Sequence, residues 1–259
     1  MPDAEILSYY DAIASKLLPF LRGRRVGVRH TFDHTPVFRR HWPSGQWIRI
    51  EDARALREIV RRHGYEFFPH LESENDLWFA LDIDVRAVPL ALGTHVVRTA
   101  LDVLEEREVK YLLTFSGSNG FHVRWEFASK GIPHHRWQFL RRIVRSIQSE
   151  TESRLQGMPI RKKLSPHIPK GDPLTELSAA DKEAQHSILF DELILKPQAT
   201  IRAPFSAHMK HRWVAIPLDT QHLSSFQPER DATMEAAKKH AVVQLPRNSA
   251  TQFLKAPWV

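Results

Sequence analysis

The chain has 259 residues, 42% hydrophobic and 26% charged, with a formal net charge of +7 and no cysteine. That length buries a sizeable core in one large domain or two closely joined lobes. No apolar run is long enough to span a bilayer, and residues 1–5 carry no basic start leading into a secretory segment, so a cytoplasmic protein is expected, nucleoid-associated in a prokaryote. The lack of cysteine excludes disulfides, thiol catalysis and cysteine-ligated zinc, and the basic excess points to a polyanion, most simply nucleic acid.

In chain order, Ile6, Tyr10, Ile13 and Leu17 recur at helical spacing and predict an amphipathic helix ending near Pro19. Residues 23–41 read as two short strands in a basic hairpin, with Arg24, Arg25, Arg39 and Arg40 among Val26, Val28, Val37 and Phe38. Asp52 is placed to cap a helix with Leu56, Ile59, Val60 and His63 inward, Arg54, Arg57, Arg61 and Arg62 outward, and Gly64 as its stop.

Residues 77–85 form the strongest strand. Alternation sends Leu77, Phe79, Leu81, Ile83 and Val85 to one face and Trp78, Ala80, Asp82 and Asp84 to the other. The two carboxylates then lie roughly 6 to 7 Å apart along the strand, near enough to lean on one divalent ion between them. Like charges that close are costly unless neutralised, and a hard, oxygen-seeking ion such as magnesium or manganese suits them. Alone, Asp-x-Asp reads equally well as two solvated acids at a strand end.

A helix follows through Val97, Leu101 and Leu104, then a strand over 111–115 and the turn Ser116-Gly117-Ser118-Asn119-Gly120. The next strand sets Phe121, Val123, Trp125 and Phe127 against His122, Arg124 and Glu126. A Gly-containing turn of this kind offers amides and hydroxyls to phosphate oxygens, with His122 just beyond it, although an ordinary hairpin has the same pattern. Pro133 is expected to open a long helix with Trp137, Leu140, Val144 and Ile147 buried. Residues 157–185 read as a long surface loop or a partly ordered insertion containing Arg161, Lys162 and Lys163. Residues 187–195 form another strand, whose Asp191 shares a face with Leu189 and Leu193 and needs a reason to lie in an apolar run. Arg202, Ser206 and His208 group an arginine, a hydroxyl and an imidazole within seven residues, a candidate anion grip, followed by a strand over 213–216, a helix near Asp231 and an irregular tail through Trp258.

The order Asp-x-Asp, Ser-Gly-x-x-Gly-x-His, a later strand Asp, then Arg-x-Pro-Phe-Ser-x-His resembles the archaeo-eukaryotic primase superfamily. The early part, from Tyr9-Tyr10 to Arg39-Arg40-His41, resembles the polymerase domain of bacterial DNA ligase D. The resemblance implies an α/β (α+β) primase fold with an N-terminal αβ lobe and an RRM-like lobe around a cleft. It implies one primase-polymerase domain over 1–259, divided roughly into 1–75, a motif-bearing core at 76–225, and a tail at 226–259. It also implies that Asp82, Asp84 and Asp191 bind two Mg2+ or Mn2+ ions, with no zinc. Ser116, Gly117, Ser118, Asn119, Gly120 and His122 would cradle the triphosphate, Arg202 and His208 would contact the nucleotide, and Ser206 would orient their loop. Arg24, Arg25, Arg39, Arg40, Arg161, Lys162 and Lys163 are the expected DNA contacts.

The implied activity is addition of NTPs or dNTPs to a 3'-hydroxyl, for gap filling or end processing in break repair by non-homologous end joining, with DNA, a Ku-like end-binding protein and a ligase as candidate partners. A primase for replication or a mobile element is the near alternative; a non-catalytic nucleic-acid-binding relative, a glycosyltransferase using Asp-x-Asp and a phosphodiesterase are the more distant ones. The sequence departs from the family at Ser118-Asn119, where the relatives carry one or two basic residues. Arg124 or Arg40 is the expected substitute.

Overall fold

The computed structural model describes residues 3–32, 35–128, 132–178 and 186–255. Helix α1 (Ala4–Leu21) is capped by Asp3, whose carboxylate accepts from the amides of Glu5 and Ile6, and it buries Ile6, Tyr9, Tyr10, Ile13 and Leu17. It runs past Pro19 rather than ending there: the ring falls in the last turn, and Phe20 and Leu21 are held in the core.

Strands β1 (Val26–Phe32) and β2 (Thr35–Arg39) form the expected antiparallel hairpin, with β2 exposed along its length. Helix α2 (Ala53–Arg61) starts at Asp52 as expected, but Gly64 is not its stop signal. His63 takes the left-handed turn at φ 62°, and Gly64 opens a strand the sequence did not announce, β3 (Gly64–Pro69). A Cβ at Gly64 would lie 2.5 Å from Ile59 Cγ2 and 2.8 Å from Val28 Cγ1, so close approach of α2 and β1 demands the glycine. These strands make a three-stranded sheet in the order β2-β1-β3.

The second sheet is built on β4 (Asp76–Asp84), which is followed by α3 (Leu90–Glu105), β5 (Leu112–Phe115), β6 (Gly120–Ala128) and α4 (Arg136–Gly157). Helix α4 begins at Arg136, not at Pro133. The stretch expected as a long loop is more structured than its composition suggests. It holds α5 (Arg161–Leu164), a 3-10 turn and β7 (Thr175–Leu177), which pairs in parallel with β8 (Ile188–Asp191) at the sheet edge; residues 179–185 of that stretch lie outside the described residues. The sheet runs β6-β4-β8-β7, with β5 and a short strand at Arg247–Asn248 also on β6.

After β8 come β9 (Ala207–His208), β10 (Trp213–Val214), the short helices α6 (Pro228–Asp231) and α7 (Met234–Lys239), β11 (Arg247–Asn248) and α8 (Ala250–Lys255). The expected strand over 213–216 is thus two residues long, and the helix expected near Asp231 is a pair of short ones. Trp258 lies outside the described residues. Among the described residues, no helix is long and apolar enough to cross a membrane.

Strand β4 is central because both its edges are paired, with β6 on one side and β8 on the other. Its apolar face is fully in the core, where Phe79 stacks on Trp125 at 4.0 Å and Trp125 on Phe253 at 5.3 Å. On the other face, Trp78 is covered by Phe20 of α1 and by the Arg24 guanidinium, 3.7 Å from the ring centroid. Only the C-terminal end of that face, at Asp82 and Asp84, opens into a cavity.

Candidate active site

The acids meet because of strand register. Asp82 stands directly opposite Asp191 of β8 on one side and His122 of β6 on the other. Directly paired residues share a face with Cβ atoms roughly 4.5–5.5 Å apart, so His122, Asp82 and Asp191 form one row, with Asp84 two residues further along the same face. Asp191 is the last residue of β8, not a mid-strand acid, and its Oδ1 accepts the Leu193 amide at 2.9 Å as the chain turns away. Leu193 is therefore past the strand, while Leu189, opposite Asp84, still shares the face of Asp191.

The turn at 116–120 closes the end of this row. The Ser116 amide donates to the Gly120 carbonyl at 2.9 Å, and the Ser118 amide to Ser116 Oγ at 3.3 Å. Gly117 has φ +83°, and a Cβ there would stand 3.2 Å from His208 Cβ, so the turn is packed against the later His loop. A Cβ at Gly120 would lie 2.4 Å from the Ile83 carbonyl oxygen, which explains a glycine where β6 begins beside β4. Ser116, Ser118, Asn119 and Gly120 line a cavity of about 280 Å3 together with Asp82, Asp84, His122, Arg202 and His208.

His122 is buried and held from behind. Its Nδ1 lies 2.7 Å from Arg124 Nη2, and its Nε2 lies 3.6 Å from Asp82 Oδ1. A guanidinium has only donors, so Nδ1 must accept and the proton of the neutral ring sits on Nε2, facing the cavity. Burial, then the neighbouring Arg124 and Arg202 charges, push the His122 pKa well below its usual value, which keeps the ring neutral. Arg124 itself is fully buried, its own pKa lowered to about 9 by burial, and its Nη1 donates to the Arg202 carbonyl at 3.0 Å. It stands behind the site and does not line the cavity, so it is not the substitute for the missing cation at Ser118-Asn119. Arg40, the other expected substitute, does not line the cavity either.

Arg202 lines the cavity, but its Nη1 is already committed to Glu66 at 2.7 Å and to the Ala207 carbonyl at 2.8 Å. Glu66 of β3 also takes Arg29 at 3.0 Å, an Arg–Glu–Arg arrangement that sequence reasoning missed because β3 itself was missed. His208 faces the cavity with its pKa lowered to about 4, first by burial and then by Arg202. Ser206 does not face it: the hydroxyl is buried and accepts the Phe67 amide at 2.8 Å, fastening the 202–208 loop to β3. In the same loop, Phe205 adopts φ 65° and its carbonyl accepts the Tyr9 hydroxyl at 2.7 Å.

Arg86, just beyond β4, is a cavity residue the sequence reading overlooked. It forms an ion pair with Asp84, and its pKa is raised first by that hydrogen bond, with the Asp84, Asp82 and Asp191 charges adding to the effect. Among the described residues no three His, Asp or Glu side chains close on a point as a finished metal cage. The donor set still suits a hard divalent ion: three carboxylates share one face, two of them in direct register, and a cation already gathers beside them.

Among the expected DNA contacts, Arg24 is corrected. It is buried, ion-pairs with Asp76, donates to the His70 carbonyl at 2.9 Å and covers Trp78. Burial lowers its pKa to about 9, so it is a core cation that no phosphate reaches. Arg24→Ala is expected to cost about 3 kcal/mol of stability, the scale for orphaning one partner of a buried pair, while leaving the salt dependence of DNA binding unchanged. Chemical unfolding and salt-titrated binding check both parts.

Arg25 and Arg39 are exposed, and Arg40 is half-buried. Arg25 lies 4.7 Å over Trp47, with His41 and His70 against the same ring. Beside Arg39 and Arg40, β2 presents Phe38 to solvent. Arg161, Lys162 and Lys163 are exposed on α5.

Residues 3–244 match the family described as LigD, primase-polymerase domain. Among solved structures, the chain is similar to the polymerase domain of Mycobacterium tuberculosis Ligase D in complex with DNA, at 15% identity and a TM-score of 0.69, covering 91% of this chain and 86% of that one. No curated protein gives a significant match.

Proposed function

Because the chain belongs to the LigD primase-polymerase family and is therefore a nucleotidyltransferase, we propose that it adds NTPs or dNTPs to a DNA 3'-hydroxyl, filling gaps or processing ends in break repair. The observation that carries this reading is the row of His122, Asp82 and Asp191 on three adjoining strands, with the 116–120 turn at its end. The reading treats 1–259 as one domain, with the cavity in a cleft between an N-terminal αβ lobe and an RRM-like lobe. A Ku-like end-binding protein and a ligase are its expected partners.

Asp82, Asp84 and Asp191 would hold two divalent ions, Mg2+ or Mn2+. When bound, such ions lower the pKa of an attacking hydroxyl and neutralise charge on a triphosphate and the departing pyrophosphate. The chain's own groups then position the nucleotide. Ser116, Ser118 and the turn amides offer donors to phosphate oxygens, and His122 Nε2–H adds one in a ring held by Arg124. Arg202 and His208 also line the cavity, with Ser206 fixing their loop. The chemistry asks for no protein nucleophile.

DNA would run over the exposed cations. The relative was captured with DNA, and in this chain Arg39, Arg40 and Phe38 combine charge with an exposed ring, a suitable platform for backbone and base. Arg39→Ala or Lys162→Ala is expected to lower the slope of log affinity against log salt by about one, as loss of one phosphate contact requires. An unchanged slope removes that residue from the DNA face. Extension assays on gapped and unprimed DNA, with each nucleotide type and each metal, test the activity. Absence of incorporation under all of them defeats the proposal.

A further inference from the structure

Arg86 combines a fixed root with a free tip. Preceding it, Val85 is buried, donates its amide to the Asn119 carbonyl at 2.9 Å, and is pressed by α3, where a Cβ at Gly93 would come within 2.7 Å of Val85 Cβ. The Arg86 amide donates to Asp84 Oδ1 at 3.2 Å. The backbone is thus tied to the phosphate-cradle turn on one side and to the acid strand on the other. The side chain is 63% exposed and borders both the site cavity and a neighbouring one of about 470 Å3 that reaches His167 and His186.

The cavity is short of cations to meet a triphosphate. The turn carries Ser118 and Asn119, Arg124 stands behind His122 and does not line the cavity, and Arg202 is engaged by Glu66. Arg86 differs from Arg202 in that its carboxylate partner, Asp84, belongs to the acid set itself. Whatever engages Asp84 releases a guanidinium anchored beside the turn.

We propose that Arg86 exchanges partners: it holds Asp84 in the ion-free protein and turns to the phosphate tail of the incoming nucleoside triphosphate when a divalent ion engages Asp84. Residue 86 thereby supplies, from the end of β4, the positive charge that the turn at 118–119 lacks. This rests on the nucleotidyltransferase reading of the same cavity.

One substitution should then move two equilibria in opposite directions. In Arg86→Ala, Mn2+ alone, followed by electron paramagnetic resonance, should bind the nucleotide-free protein about two- to fivefold more tightly, because an exposed ion pair no longer competes. Nucleoside triphosphate affinity, measured calorimetrically with Mg2+ in the absence of DNA, should fall at least about tenfold, the scale of a hydrogen bond to a charged group, while nucleoside monophosphate affinity stays near its starting value. Arg86→Ala combined with Asn119→Lys should recover triphosphate affinity and keep the tighter Mn2+ binding. Unchanged affinities in Arg86→Ala, or a joint loss of Mn2+ and triphosphate binding, overturns the exchange. Failure of the unaltered protein to bind triphosphate at all defeats the broader reading instead.

Discussion

Asp82→Asn and Asp191→Asn are each expected to reduce nucleotide incorporation by at least about a thousandfold while DNA affinity stays within about twofold. The register carries the expectation: the two side chains are direct cross-strand partners on β4 and β8, so removing either charge halves the donor pair at its closest point. Loss of a group that holds a divalent ion costs several kcal/mol of transition-state stabilisation, and about 4 kcal/mol is a thousandfold. DNA affinity, by contrast, is expected to rest on Arg and Lys contacts that need no metal. Asn preserves the volume of Asp and removes one of three clustered negative charges, so stability should hold or rise slightly. Primer extension and salt-titrated DNA binding on the same preparations check the result. Parallel loss of extension and binding, with a lowered melting temperature, would identify a folding defect and leave the acids without a catalytic assignment.

Arg124→Met is expected to lower kcat/KM for nucleotide addition by about 10- to 100-fold, the usual scale for removing a group that orients a site ligand from behind. Arg124 fixes which His122 nitrogen carries the proton, because its Nη2 can only donate to Nδ1. Without it the ring is free to rotate or to place its proton on Nδ1, and the donor facing the cavity is lost. Stability should move less than activity, since two effects oppose. A costly buried guanidinium, its pKa lowered to about 9, is replaced by an apolar chain of similar length, while the His122 Nδ1 and the Arg202 carbonyl lose a donor. Arg124→Lys retains a donor and should recover part of the loss. The 15N resonances of His122 report the tautomer directly; an unaltered Nε2–H pattern in Arg124→Met would refute the positioning role.

Both substitutions target residues whose place in the fold differs in how visible it is from sequence. The acidic strand was legible because β4 alternates strictly, with Leu77, Phe79, Leu81 and Ile83 against Trp78, Ala80, Asp82 and Asp84. The same holds for the Phe121 to Phe127 face of β6 and for the Asp52 cap of α2, where the side chain accepts the Ala55 amide at 2.7 Å. Strand β3 escaped because five of its six residues are buried and Gly-Tyr-Glu-Phe-Phe-Pro carries no period of two. With β3 unseen, Glu66 had no visible connection to Arg202. Residues 157–178 escaped for a different reason: their short elements are stabilised by joining a sheet edge, through β7 on β8, rather than by any local pattern.

What the sequence determined by itself is therefore what short-range rules govern: which faces of β4 and β6 are apolar, where the glycines must turn, which residue types are available for metal and phosphate, and the family those motifs resemble. Tertiary structure alone decided which of the arginines are tools and which are supports. Arg24 was expected on DNA and Arg124 or Arg40 at the phosphates, yet Arg24 and Arg124 are both buried, while Arg86, unremarked in sequence, stands beside the acids. A charged side chain is four bonds of reach around a backbone position, and its role is set by the nearest opposite charge or acceptor. For Arg24 and Arg124 the backbone carbonyls they hold, at His70 and Arg202, and for Arg202 the Glu66 paired with it, come from segments that only long-range strand pairing and loop packing bring alongside.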